Sequence, residues 1–214
     1  MLIVPRAEPL PTLPRTARPY RDPGIHVSAI IKDLCVALDP ERFGDNKTER
    51  QQAADGRDEF YEDLEENPKI WLGQAVDQYL TACRSRSGSL AFRPLAVKHQ
   101  GVWASTDLIV LTDEPPRPRL PGDSDDLLVE EFKLTWMSVR SGIEDRKFVH
   151  WFWQIKWYAW VLETVRARLR VYFVNGDYGP PRPQYRVWDL LFTYRELETN
   201  AMMLLGHARK RGLL

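Results

Sequence analysis

Three ionisable side chains stand where a folded chain places charge only for a reason: Asp107, Glu131 and Lys133. Glu131 and Lys133 belong to the apolar run LLVEEFKLTW at 127–136, which reads as a strand. Strand alternation sends Glu131 and Lys133 to one face and Glu130 and Phe132 to the other. Asp107 reads as part of a second strand, GVWASTDLIVL at 101–111, where an acid among apolar neighbours is costly unless paired or bound to a cation. If the two carboxylates converge they repel each other, and a hard divalent cation between them removes that penalty. Oxygen donors without pairs of Cys or His point to magnesium or manganese rather than zinc. Lys133 then stands at the same mouth, able to orient a water and to neutralise charge growing on a phosphate oxygen. A simple Glu–Lys or Asp–Lys ion pair at a strand end would use the same residues, and an E-x-K triplet alone is common in a charged chain.

The elements that must position these groups follow from periodicity. HVSAIIKDLCVAL at 26–38 repeats apolar residues at helical spacing, and 40–57 reads as a polar loop. A helical region is expected from Asp58 to about Cys83, interrupted near Pro68, with Asp77 set in its apolar second half. LAVKH at 95–99 and the strand after it meet near Gly101, which suits a hairpin turn. A proline-rich insertion, 113–126, separates them from the EFK strand. A long helix is expected from about Glu144 to Arg166, then a strand over Arg168–Asn175, a short strand at YRVWDL and a helix from Tyr194 to about Arg209. On the long helix, Lys147, His150, Gln154 and Tyr158 share one polar stripe, while Phe148, Phe152, Ile155 and Leu162 should pack on a sheet. Strands in sequence before the helix favour antiparallel pairing, and the helical crossover favours a parallel pair, so the sheet is expected to be mixed.

The chain has 214 residues, enough for one domain with extensions and a core that needs no metal or disulfide staple. Thirty Lys and Arg balance thirty Asp and Glu, so no global excess of positive charge advertises a polyanionic partner. Local basic clusters remain: Arg166, Arg168 and Arg170, then Arg209, Lys210 and Arg211, and the arginines of an extended proline-rich arm at 1–24. If the surface segregates them from the acid-rich 41–77 stretch, a neutral protein can still present a cationic groove. Cys35 and Cys83 are too few for a four-thiolate metal or iron–sulfur site. MLIV meets Pro5 at once, and no run of about 20 apolar residues exists, so neither a signal peptide nor a membrane span is expected. The expectation is a soluble cytoplasmic protein, in the host cytoplasm if phage-encoded.

Asp107, then Glu131-Phe132-Lys133, then a helix with Q-x-x-x-Y at Gln154–Tyr158, then the strand RVYFVN together resemble the PD-(D/E)XK nuclease superfamily, in particular its RecB-like and phage exonuclease branches. The match covers about residues 58–176 of a single domain spanning 25–214, which ends in the helix at 194–210. The resemblance implies an α/β (α+β) restriction-endonuclease-like core: a mixed central sheet of about four to five strands flanked by helices. It also implies magnesium-dependent hydrolysis of DNA phosphodiesters, with manganese able to substitute and no iron–sulfur cluster. Asp107 matches the first metal-binding aspartate, and Glu131 and Lys133 match the catalytic triplet. The main-chain carbonyl of Phe132 stands where a further ligand is often supplied, and Asp77 is the counterpart of an upstream acid. Gln154 and Tyr158, with Lys147 and His150 on their stripe, are the substrate-side candidates. Departures exist: Ala104 stands where a Gly is frequent, and no Pro precedes Asp107. The activity implied is an exonuclease or DNA-processing nuclease of phage or mobile-element type, with DNA as partner. A homo-oligomer, or a helicase, recombinase or packaging partner, fits the same family. The alternative is a non-catalytic protein of nuclease fold used for DNA binding or for virion or packaging assembly.

Overall fold

β-branched and apolar runs separated by helices build a mixed five-stranded sheet in a computed structural model, which describes residues 24–43, 90–92, 95–111, 127–135, 148–174 and 184–214. The expected arm up to residue 23, the helical region at 58–83 with Asp77, the proline-rich insertion and Lys147 lie outside these residues.

The described elements are β1 (Ile25–His26), α1 (Val27–Leu38), α2 (Pro40–Phe43), β2 (Leu90–Phe92), β3 (Val97–His99), β4 (Val102–Ala104), β5 (Leu108–Leu111), β6 (Leu127–Thr135), α3 (Val149–Val161), β7 (Arg166–Phe173), β8 (Gln184–Leu191) and α4 (Tyr194–Lys210). The main sheet runs β2-β5-β6-β7-β8. β5 pairs antiparallel with β6, β6 parallel with β7 across the α3 crossover, and β7 antiparallel with β8. The architecture is α/β with a mixed central sheet, as expected.

Several boundaries differ from expectation. Residues 101–111 are not one strand: β4 joins β1 and β3 in a separate three-stranded sheet, and β5 begins only at Leu108. The expected hairpin is present between β3 and β4, with Gln100 and Gly101 both at positive φ (46° and 85°). Two left-handed turn residues match the right-handed twist of the strands they join. Pro40–Phe43 forms a helical turn where loop was expected, and β8 has eight residues rather than a short six.

The largest correction concerns the end of α3. It stops at Val161 rather than Arg166, so β7 begins at Arg166. Glu163 takes φ 54°, its N–H bonds the Trp160 carbonyl, and the Thr164 N–H reaches back to Ala159. This paired closure satisfies the last helical carbonyls, but with Glu in the position that usually selects glycine. The fully buried Thr164 hydroxyl then donates to the Leu127 carbonyl at 2.8 Å, fixing the helix end against the start of β6. Replacing Glu163 with glycine should relieve the left-handed strain and stabilise the protein by about 0.5–1 kcal/mol, read as a higher urea midpoint.

β7 alternates cleanly: Ala167, Leu169, Val171 and Phe173 are buried beneath the helices, while Arg166, Arg168, Arg170 and Tyr172 face the other side. The helical layer is α1, α3 and α4. Its core includes Ile30, Leu34, Ile155, Trp157, Leu204 and Leu205. Phe148 and Ile155 are buried as expected, yet Trp151, Trp157, Tyr158 and Ala159 are buried too, so α3 is enclosed by neighbours on several sides. α4 starts with a reciprocal cap, in which the Thr193 hydroxyl accepts from Glu196 N–H and Glu196 accepts from Thr193 N–H. Near its other end, His207 and Arg211 both reach Asp33 on α1, at 2.6 and 3.1 Å.

Candidate metal centre

β6 carries the site because alternation splits its two adjacent acids between the sheet faces. Glu131 and Lys133 share the helix-side face with Val129, and Glu130 and Phe132 face the opposite side. Glu130, fully buried, is held by Arg170 at 2.9 and 3.0 Å and by Arg168 at 3.3 Å. Arg168 also reaches Asp189, and Arg170 reaches the Tyr185 hydroxyl. These two arginines therefore serve a buried carboxylate on the far face and do not floor a cationic groove at Glu131.

Continuing the β5–β6 register by one residue beyond Leu108↔Glu130 brings Asp107 opposite Glu131. Asp107 is not within a strand, contrary to expectation, but in a bend at its mouth. Its Oδ2 accepts the Phe132 N–H at 2.9 Å, so a side-chain oxygen takes the place of a ladder carbonyl just where pairing ends. Within a strand, the N–H and C=O of one residue point to the same edge. The Phe132 carbonyl therefore faces the edge occupied by Asp107. Thr106, immediately before it, is buried and its hydroxyl has no hydrogen-bond partner among the described residues.

Glu131 is buried to 1% exposure. Lys133 Nζ donates to its Oε1 at 2.6 Å, while Oε2 is buried with no hydrogen-bond partner among the described residues. Burial foremost, and then the negative charge of Asp107, push its carboxyl up to about 8; Lys133 opposes this incompletely. Lys133 donates a second bond to Gln154 Oε1 at 2.9 Å, and Gln154 Nε2 donates to the Tyr158 hydroxyl at 2.7 Å. Tyr158 is buried, so the relay from α3 to β6 is anchored at its inner end. The structure thus brings together Asp107, Glu131, Lys133, Gln154 and Tyr158. His150 packs edge-on against Phe43 and Trp151 instead, toward the α2 side of α3.

Among the described residues, no three His, Cys, Asp or Glu side chains gather into a metal cluster. The donors at hand are two carboxylates and the Phe132 carbonyl, all hard oxygen, and two carboxyl groups brought side by side at a buried position suit a hard divalent cation.

A proton balance follows. The folded, metal-free protein keeps the Glu131 proton up to about pH 8, whereas the unfolded chain releases it near the ordinary value of 4.5. Stability is then highest below 4.5 as far as this group is concerned, and falls as pH rises through the window up to about 8. Glu131→Gln should remove that slope. Urea titrations in EDTA at the two ends of the window should show a wild-type loss on the order of 4 kcal/mol that the variant lacks.

No family model matches the chain, and no curated protein matches it. Among solved structures, it is similar to one described as the crystal structure of SSO0001, at 12% identity and a TM-score of 0.43 over 86% of this chain and 76% of that one. It is also similar to an alkaline exonuclease (LHK-Exo) from Laribacter hongkongensis, at 16% identity and a TM-score of 0.41 over 68% of this chain and 71% of that one. Likenesses this distant bear on neither family nor chemistry. No helix among the described residues is long and apolar enough to cross a membrane.

Proposed function

We propose that the chain is a magnesium-dependent DNA nuclease of the PD-(D/E)XK type, an exonuclease or DNA-processing nuclease of phage or mobile-element type. The observation that carries the reading is the fully buried Glu131 carboxyl, set beside the second acid Asp107 and ion-paired with Lys133 at 2.6 Å. A core that served stability alone would gain by replacing this carboxylate with an apolar group.

In this reading Asp107, Glu131 and the Phe132 carbonyl hold the ion, with manganese able to replace magnesium. The bound metal supplies activation of a water and neutralisation of phosphate charge. Lys133 donates to Glu131 and Gln154, and in this reading its ammonium stabilises charge that grows on a phosphate oxygen during in-line displacement. Gln154, held by Tyr158, fixes the angle of that ammonium, so the lysine is pre-positioned before substrate arrives.

Relaxation of supercoiled plasmid, with linear DNA in parallel, tests the reading directly. Cleavage is expected in magnesium and in manganese and should stop in EDTA. Retarded migration of DNA that is never cut, in any of these ions, would replace the enzyme with a DNA-binding or assembly protein of nuclease fold.

A further inference from the structure

The outer face of α4 carries features that neither the core nor the metal centre uses. At helical spacing Glu198, Thr199, Met202, Gly206 and Arg209 fall on one exposed stripe, opposite the buried Leu197, Asn200 and Leu204. Met202 and its neighbour Met203 stand out into solvent, and methionine is the apolar side chain best able to adapt to a partner. Gly206 has no reason within the chain to be glycine. It is not among the residues at positive φ, and a Cβ there would meet nothing within 4 Å. Glycine inside a helix weakens it relative to alanine, and here neither backbone conformation nor packing asks for it. What it leaves is a notch in the stripe, one turn beyond Met202. The two ends of the stripe carry opposite charge, Glu198 on one side of this pair and Arg209 on the other, and neither has an ion-pair partner among the described residues.

These features complement themselves in one arrangement. When two copies of α4 lie antiparallel about a two-fold axis level with Leu204, Met202 of each meets the notch at Gly206 of the other. The same register sets Glu198 of each copy beside Arg209 of the other, giving two ion pairs at the ends of the contact. Antiparallel macrodipoles add to the attraction. A parallel pair would instead oppose Glu198 to Glu198, Arg209 to Arg209 and Met202 to Met202, leaving both notches empty. We propose that the outer face of α4 is the docking surface for a second copy of this chain, seated antiparallel and read by the Met202–Gly206 and Glu198–Arg209 contacts. A helix of 17 residues offers a small contact, so the dimer is weak and depends on concentration. The pairing uses no residue of the metal centre.

The test is sedimentation velocity of the full chain from about 2 to 200 µM, where a weak dimer passes from minor to major species. Gly206→Gln fills the notch from open space, so it keeps the fold while abolishing dimer across this range. Glu198→Arg and Arg209→Glu, each on an exposed side chain, should each weaken the dimer about tenfold by opposing like charges. The double variant Glu198→Arg with Arg209→Glu restores the pairs in reverse and should return to within about threefold of wild type. Far-ultraviolet circular dichroism should be the same for all four variants. A chain that stays monomeric up to the highest concentration overturns the inference. So does a dimer that Gly206→Gln leaves intact, or a double variant no tighter than the single ones, since either would place the contact elsewhere or in another register.

Discussion

Replacing Lys133 with alanine is expected to slow magnesium-dependent DNA cleavage by roughly 10²–10³-fold while leaving the fold intact. The side chain is part-exposed, so its removal opens no cavity in the core, and the neighbouring Glu131 already favours its neutral form without metal. What is lost is the ammonium that Gln154 and Tyr158 hold in place. Initial rates on linear DNA at saturating magnesium, beside far-ultraviolet circular dichroism, check both halves. A variant that cuts at the wild-type rate would leave the lysine as a mere ion-pair partner.

Glu130→Ala should have the reverse character, costing about 3–5 kcal/mol of stability. Glu130 is fully buried between Arg168 and Arg170, and its removal strands two largely buried guanidinium groups on the sheet face. Asp189 can still serve Arg168, but that acid is half exposed and the bridge is worth little. Urea denaturation in EDTA measures the loss. The comparison with Glu131 is the informative part: of two neighbouring glutamates, removal of one is expected to cost much of the stability, while conversion of the other to Gln is expected to flatten the pH dependence of stability.

The split between those glutamates was legible in the sequence, since alternation in LLVEEFK already separates Glu131 and Lys133 from Glu130 and Phe132. The mixed sheet and the parallel crossover through α3 were legible for the same kind of reason: apolar runs and helical spacing are local signals. The alignment of Gln154 and Tyr158 at i and i+4 could likewise be read off one helix, and it does converge on Lys133. What was not legible depends on distant partners. The role of Glu130 is set by Arg168 and Arg170, which lie 38 and 40 residues away. The bend at Asp107 arises because its carboxylate captures the Phe132 N–H, a bond invisible to any periodicity. The end of α3 lacks the glycine that normally announces such a closure, so its apolar pattern runs on past Glu163 into β7. His150 shares a stripe with Gln154 but sits a turn away, where Phe43 of α2 meets it.

Because β6 presents an arginine-bound acid to one side and the acid of the candidate metal centre to the other, its length is under a parity rule. One inserted or deleted residue ahead of Glu130 would exchange the two glutamates, leaving the arginines facing the wrong carboxylate and the lysine stranded. Two would restore the faces while shifting the site along the strand by a single pleat. Indels in this segment should therefore survive selection for folding only in even numbers.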